Sequence, residues 1–317
     1  MKAAVVENFS HPPRYRDFDE PVAQTDEVMV SVRAAALSQL VRMQASGKHY
    51  SSGTPPFVPG VDGVGYLDDG RRVYFAFPRA PVGAMAERVA VKAAYTVLLP
   101  DSVDDITAAA IANPGMSSWA ALSERVVFKR GEAVLINGAN GTSGRLAIQI
   151  AKHLGAGRII ATGRDPASAA ALQALGADVF IPIGQPSEDL RARFRDEIAA
   201  GIDVVLDYLW GPSAEALLAA ATGHGAGEAV RRIRFVNIGS LGGAAINLPA
   251  AALRSSGVEM VGSGLGSLSN IALIRSIASL MQAIDVAQLK IAADAAPLTE
   301  VERIWSGDSS ARIVFTI

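Results

Sequence analysis

Six apolar runs, AVLIN (133–137), RIIAT (158–162), VFIPI (179–183), DVVLD (203–207), RFVNIG (234–239) and VEMVG (258–262), alternate with alanine-rich stretches of helical character. This cadence constrains the fold more than any other feature of the chain. Parallel strands need long crossovers, and helices supply them while covering both faces of the sheet. The expectation is an α/β fold with a doubly wound, six-stranded parallel sheet.

The chain on either side has a different texture. Residues 1 to about 112 carry short runs, MKAAVVE, EVMVSVRAAA, GVGYL, RRVYFAF and AERVAV, bounded by SSGTPPFVPG and FPRAPVG, the pattern of a β-rich domain. After VEMVG come one long helix, SNIALIRSIASLMQAI, and a strand-like end, ARIVFTI (311–317), with no helix behind it. That last strand is expected to return to the first domain, which makes the domain discontinuous. A length of 317 residues allows about two domains. The expected division is 1–112 with 268–317 for one and 113–267 for the other. Alanine clusters such as AADAA (292–296) read as helix filler.

Composition excludes several chemistries. The chain has no cysteine, which removes disulfides, thiolate zinc sites and cysteine nucleophiles. Its four histidines, His11, His49, His153 and His224, are scattered, so no metal site is expected. A formal net charge of −2 provides no field for nucleic acid or an anionic membrane, and neither partner is expected. MKAAVVENFSHPP reaches Glu7 and Asn8 before a signal-length apolar core develops, and no run approaches the roughly 18 apolar residues of a membrane span. The expected location is the cytoplasm.

The first βα junction carries the sharpest motif. Gly138, Gly141 and Gly144, in INGANGTSG (136–144), stand where a strand gives way to a helix, spaced G-x-x-G-x-x-G instead of the commoner G-x-G-x-x-G. Gly141 lets the backbone approach a pyrophosphate and Gly144 lets the helix pack on the strand. Free amides and the positive dipole end of the helix attract an anion. Asn140, Thr142 and Ser143 complete the loop as candidate cofactor contacts. The next strand ends Thr162-Gly163-Arg164-Asp165-Pro166. Asp165 before Pro166 reads as a helix N-cap followed by proline at the first helical position, which accounts for the acid structurally. Gly163 leaves space, and Arg164 either suits a 2′-phosphate or is a solvated loop charge. NADPH is favoured over NADH.

Taken together, the segments resemble a known family. VPGVDGVGYL (58–67), GAMAERVAV (83–91), LLPDSVDDITAAAIANPGMSSWAAL (98–122), the glycine loop, LGADVF (175–180), GIDVVLDYLWG (201–211) and ARIVFTI are similar, in this order, to medium-chain dehydrogenases/reductases of the zinc-independent quinone oxidoreductase group. The resemblance implies a GroES-like domain built from both chain ends around a Rossmann domain, with the active site between them. Zinc-using relatives carry a cysteine in the loop aligned with AALSQL and a His-Glu pair aligned with PGVDGVG. Here Ser38 and Val61-Asp62 stand instead. Relatives also often show Asn and Asp at the positions of Ser38 and Val41, and Lys and Tyr near the adenosine phosphate at those of Ser168 and Ile183. The resemblance makes Arg312 a helper of Arg164 at that phosphate, and it implies a homodimer formed through GVEMVGSG (257–264), an edge that otherwise invites pairing.

The implied chemistry is hydride delivery to a quinone or an α,β-unsaturated carbonyl. Charge developing on the substrate oxygen must then be met by hydrogen-bond donors or a proton. Tyr50, in SGKHYSSG, resembles the family tyrosine facing the nicotinamide, and it either donates to substrate or packs its loop. Ser38 is a second catalytic candidate, or an ordinary loop serine; His49 is a lesser one. Asn113 and Ser117, in ANPGMSSW, resemble a segment lining the nicotinamide pocket, or start the helix that follows. Gly239, Ser240 and Gly264 fall at strand ends, where ligands bind in open α/β sheets. Asp207 at another strand end either contacts the cofactor or satisfies backbone amides. Two other functions stay open: an enoyl-thioester reductase, for which only Arg42 and Lys48 offer a basic entry, and a non-catalytic NADPH-binding sensor or structural protein.

Overall fold

The computed structural model describes residues 1–49, 51–222, 231–307 and 311–317. They form two compact units, Met1–Asn113 with Leu273–Ile317, and Pro114–Ala272. In chain order the first unit supplies β1 (Lys2–Val5), β2 (Arg14–Asp17), β3 (Glu27–Ala36), α1 (Gln39–Ala45), β4 (Asp62–Leu67), β5 (Arg72–Ala76), β6 (Arg88–Lys92) and β7 (Thr96–Leu98). After α2 (Asp105–Ala120) come β8 (Ala133–Asn137), α3 (Thr142–His153), β9 (Arg158–Gly163), α4 (Ala169–Leu175), β10 (Val179–Pro182), α5 (Ser187–Gly201), β11 (Val204–Asp207), α6 (Gly211–Ala221), β12 (Ile233–Asn237), α7 (Ala250–Arg254) and β13 (Val258–Gly262). Then α8 (Asn270–Val286) leads to β14 (Ala293–Pro297), α9 (Val301–Trp305) and β15 (Arg312–Thr316).

In the second unit the six strands are parallel, in the order β10-β9-β8-β11-β12-β13. This is the Rossmann-type doubly wound sheet. Every residue of β8 and β11 is buried, as expected of central strands covered on both faces. The strand order reverses between β8 and β11, and Asn137 sits opposite Asp207, which in turn sits opposite Asn237. A crevice opens at such a reversal, beyond the carboxyl ends of the strands.

The first unit is the GroES-like β-rich part. Its seven-stranded sheet runs β14-β15-β3-β4-β5-β7, with β6 also pairing β3, and β1 and β2 form a separate antiparallel pair. The C-terminal β15 lies antiparallel to β3, Val314 opposite Ala36. Val30, Phe75, Met85, Val89 and Phe315 are among the residues of the core beneath.

Two stretches differ from the sequence reading. The alanine cluster expected to be helical forms β14, parallel to β15 from Ala293 opposite Arg312 to Pro297 opposite Thr316. Ladder bonds to β15 outweigh the helix preference of alanine, which is a weak prior. Asn113 and Ser117 do not start a helix either. Helix α2 begins at Asp105 and runs through Pro114. No helix among the described residues is long and apolar enough to cross a membrane.

Helix α3 seats on β8 through Gly144. A Cβ there would lie 2.5 Å from the Gly138 carbonyl oxygen and 2.6 Å from the Ala139 Cα, backbone that cannot swing away. Gly144→Ala should lower stability by about 1–3 kcal/mol, the usual cost of overpacking. Urea denaturation would show it, and an unchanged midpoint would mean that α3 does not sit this close.

Candidate functional site

The glycine loop of the second unit is shaped by contacts on three sides. Gly138 has φ +96°, and a Cβ on it would meet the Leu209 side chain at 2.8 Å. Gly138 N–H donates to Thr162 Oγ1 (3.0 Å) and Ala139 N–H to the Thr162 carbonyl (2.8 Å), fastening the loop to the end of β9. Gly141 has nothing within 4 Å of its would-be Cβ and caps α3 with extended backbone. Arg145 N–H donates to the Gly141 carbonyl (2.9 Å) and so begins the helical ladder. Before it, the amides of Asn140, Gly141, Thr142, Ser143 and Gly144 donate to no atom among the described residues. Five consecutive open N–H groups at the positive end of a helix dipole make an anion cradle.

A buried carboxylate organises the strand ends below it. Asp207 Oδ1 accepts from Asn137 Nδ2 (2.8 Å), Leu209 N–H (3.1 Å) and Trp210 N–H (3.0 Å), while Oδ2 accepts from Asn237 Nδ2 (3.3 Å). Thr162 Oγ1 donates to Asn137 Oδ1 at 2.8 Å, which extends the chain of bonds across β9, β8, β11 and β12. Burial raises the Asp207 carboxyl above its ordinary range, and the amides and Asn137 pull it back down. Of the two readings of Asp207, the structure places it on backbone amides.

The end of β9 carries one acid, which caps the turn that follows. Asp165 Oδ1 accepts from Ala167 N–H (2.9 Å), the N-cap expected before Pro166. Arg164 is exposed and makes no hydrogen bond or ion pair with the described residues. Gly163 packs against the Asn140 side chain, 2.5 Å from Oδ1 at a would-be Cβ, and Ser168 Oγ donates to that oxygen at 2.8 Å.

At the other strand ends, Gly239 N–H donates to the Asp207 carbonyl (3.1 Å), and a Cβ on it would strike the Tyr208 carbonyl oxygen at 2.7 Å. Ser240 accepts at its carbonyl from Gly243 N–H (3.2 Å). Gly264 N–H is spent on Ser267 Oγ (2.7 Å). Arg125 donates to the Gly262 carbonyl at 2.7 Å, holding the turn that contains Gly264. Ser117 Oγ donates to the Pro114 carbonyl (2.6 Å) and accepts from the Tyr208 hydroxyl (3.1 Å). Burial pushes the Tyr208 hydroxyl up to about 12.

The other candidates belong to the first unit. Ser38 is the N-cap of α1, its Oγ accepting from Val41 N–H at 3.1 Å. Arg312, in β15, has Nε and Nη2 buried without a hydrogen-bond partner among the described residues, and its charge acts on buried Asp62. Tyr74 Oη donates to Asp62 Oδ2 at 2.9 Å. Asn113 lies inside α2, half-buried. Tyr50 lies outside the described residues, and His49 next to it shares a hydrogen bond of 2.7 Å with Ser51 Oγ.

Comparison with known proteins fits this geometry. A profile of the family described as zinc-binding dehydrogenase matches residues 144–283. The chain is 27% identical to a probable NADPH-dependent quinone reductase of Emericella nidulans, with 98% of each chain covered. It is 30% identical to the 2-methylene-furan-3-one reductase of Solanum lycopersicum over 65% of this chain and 58% of that one. The solved quinone oxidoreductase of Thermus thermophilus, also determined in complex with NADPH, superposes with a TM-score of 0.78 at 26% identity, with all of both chains covered. Over its whole length the chain is similar to medium-chain dehydrogenases/reductases of the quinone oxidoreductase-like group. A mycobacterial quinone oxidoreductase at 22% identity has the same fold, with a TM-score of 0.86 over all of both chains.

One member of the cradle escapes the sequence reading. Arg145 Nε donates to the Asn140 carbonyl (3.1 Å), which puts a guanidinium at the glycine loop. Its signal was available: a cation and no acid in the first turn of α3, against the usual preference there.

Asp62 gives the first unit a pH dependence. Burial drives its carboxyl from 3.8 up to about 6, a rise that Arg312 and Tyr74 reduce without cancelling. The folded protein holds this proton more tightly than the unfolded chain, so stability falls as pH rises through that window and stays lower above it. Between about pH 4 and pH 7, wild type should lose about 2–3 kcal/mol more unfolding free energy than Asp62→Asn. Equal losses in urea titrations would contradict a buried, protonatable Asp62.

Proposed function

We propose that this protein is an NADPH-dependent oxidoreductase that reduces a quinone or an α,β-unsaturated carbonyl without a catalytic zinc ion. The observation that carries the proposal is the run of open amides from Asn140 to Gly144 beside a β9 end whose acid, Asp165, caps the following turn and is preceded by an exposed Arg164. An anionic nucleotide fits that arrangement: the cradle offers donors to phosphate, and the acid at the ribose edge, Asp165, is engaged as a cap beside Arg164. Names of similar proteins, an NADPH-dependent quinone reductase and an enone-type reductase among them, support the same reading.

In this proposal the amides of Asn140 to Gly144, with Thr142 and Ser143 hydroxyls, hold the pyrophosphate, and Arg164 holds the 2′-phosphate beside Gly163. Bound NADPH supplies a hydride. Gly239, Ser240, Gly264, Asn113 and Ser117 are the proposed contacts of its nicotinamide half. Ser117 has spent its proton on Pro114, so toward a ligand it offers an acceptor. Tyr50 is the proposed proton donor to the substrate oxygen, with Ser38 as a further donor whose own hydrogen is not consumed by capping α1. Arg312 stays a proposed phosphate contact only if its buried guanidinium turns outward; its charge as found acts on Asp62. Zinc independence is supported by Val61 at the position of the metal-binding histidine, by the absence of cysteine, and by the lack of any metal-suited group of three His, Asp or Glu among the described residues. A homodimer through β13 is part of the proposal, since β13 is the outer strand of its sheet and Leu265 and Ile271 near it are exposed.

Purified protein should consume NADPH in the presence of a small quinone or enone, followed as loss of nicotinamide absorbance. Arg164→Ala should weaken NADPH by about tenfold or more while changing NADH little, the usual worth of a charge-assisted hydrogen bond. Tyr50→Phe should slow turnover at unchanged NADPH affinity. Tight binding with no turnover across a panel of both acceptor classes would contradict the catalytic part, and equal losses for both nucleotides in Arg164→Ala would contradict the choice of cofactor.

A further inference from the structure

Arg125 grips the turn that follows β13 at both of its ends. β13 is the outer strand of its sheet, and at the end of its ladder with β12 Ser263 N–H donates to the Asn237 carbonyl at 2.8 Å. Beyond that point the bonds of Gly264 close on the turn itself: its N–H donates to Ser267 Oγ (2.7 Å) and its carbonyl accepts from Ser267 N–H (3.1 Å). Arg125 reaches in from elsewhere in the same unit. Nε donates to the Gly262 carbonyl at 2.7 Å and Nη1 to the Ser267 carbonyl at 3.4 Å.

Local structure delivers the guanidinium to that place. A turn wider than an α-helical one, Ala121–Arg125, closes α2, with Val126 N–H on the Ala121 carbonyl at 3.2 Å. Such widened turns recur at functional sites. What Arg125 holds is costly to order, because Gly262, Gly264 and Gly266 stand at every second position and glycine loses more backbone freedom than any other residue. Gly266 needs to be glycine for its φ of +90°. Gly262 and Gly264 have no left-handed φ and no atom within 4 Å of a would-be Cβ, and both are exposed. Packing within the protein demands glycine at neither, and the same is true of Gly141 in the glycine loop.

We infer that Arg125 is a positioning residue for the nicotinamide half of the cofactor, holding residues 262–267 in a form that lets a flat ring lie against the Gly264 backbone. The inference rests on the nucleotide reading above and adds to it a residue that acts through the turn without touching the ligand. A ring needs surface and no ladder. The Gly262 carbonyl and the Gly264 amide, which a pairing strand of a second copy would use, are already spent. Charge-assisted bonds from Arg125 order the glycine turn before the ligand arrives, so less conformational freedom is lost on binding.

The test uses calorimetry without turnover. Wild type, Arg125→Ala, Arg125→Lys and Gly264→Ala are titrated with NADPH and with 2′-phospho-ADP-ribose, which lacks the nicotinamide, with thermal unfolding and sedimentation alongside. Arg125→Ala should lose about tenfold on NADPH and less than about twofold on the fragment, the usual worth of a hydrogen bond from a charged group. Arg125→Lys, which keeps one charged donor, should recover part of that loss. Gly264→Ala should unfold at the wild-type temperature, since its Cβ meets nothing in the protein, and yet weaken NADPH alone. Equal losses on both ligands would make Arg125 a strut of the fold and overturn the inference, as would wild-type NADPH affinity in a folded Arg125→Ala protein. Normal NADPH binding by Gly264→Ala would overturn it too, and a changed mass in sedimentation would then give the glycine face to a second copy. Wild type that binds neither ligand would overturn the nucleotide reading itself, whereas wild type that binds both, with variants indistinguishable from it, would overturn this inference alone.

Discussion

Asp207 is a carboxylate taken out of water at the carboxyl end of a parallel sheet, and such a charge persists only where donors surround it. Here they come from four directions: Asn137 on β8, Asn237 on β12, and the Leu209 and Trp210 amides of its own turn. Removing any one donor would leave the others to carry an ion that the interior penalises. The register that puts Asn137 and Asn237 on either side of Asp207 is thereby tied to one loop conformation above the sheet.

That conformation is strained at one residue. Trp210 has φ 58° and ψ −154°, a region that residues other than glycine rarely occupy. Its amide is held by both Asp207 oxygens and its ring meets Phe235 edge-on at 6.2 Å. The turn so fixed presses Leu209 onto Gly138, and the Leu209 carbonyl accepts from Gly242 N–H at 2.7 Å. One short segment thus touches the glycine loop on one side and the loop after β12 on the other. Positioning of both depends on a buried charge that need not touch a ligand itself.

Much of the fold was readable from the chain because its signals are local. Runs such as AVLIN and DVVLD are apolar throughout, and a central parallel strand has no other pattern to show; GANGTSG sits between strand and helix, and Asp165-Pro166 announces a cap within two residues. What escaped depends on partners distant in sequence. Asn137 and Asp207 are 70 residues apart, and Thr162 and Asn137 25 apart, so the polar chain beneath the loop exists only once the register is set. AADAA has the composition of a helix and becomes β14 because β15 offers it a ladder. Ser38 illustrates a residue type with two local uses, and capping α1 claims its oxygen. Arg145 is a visible exception in the sequence, a cation in the first turn of a helix that has no acid there.

The central claim is that the Asp207 bonds hold the glycine loop in a form ready for a nucleotide. Calorimetric titration of Asp207→Asn with NADPH tests it most directly, alongside circular dichroism to follow the fold. The substitution removes the charge and replaces Oδ2 with an amide nitrogen that cannot accept from Asn237 or share the Trp210 amide, which opposes two donors across β11 and β12. The account predicts an affinity about tenfold or more below wild type with the helical signal retained. Wild-type affinity in a folded Asp207→Asn protein would contradict it.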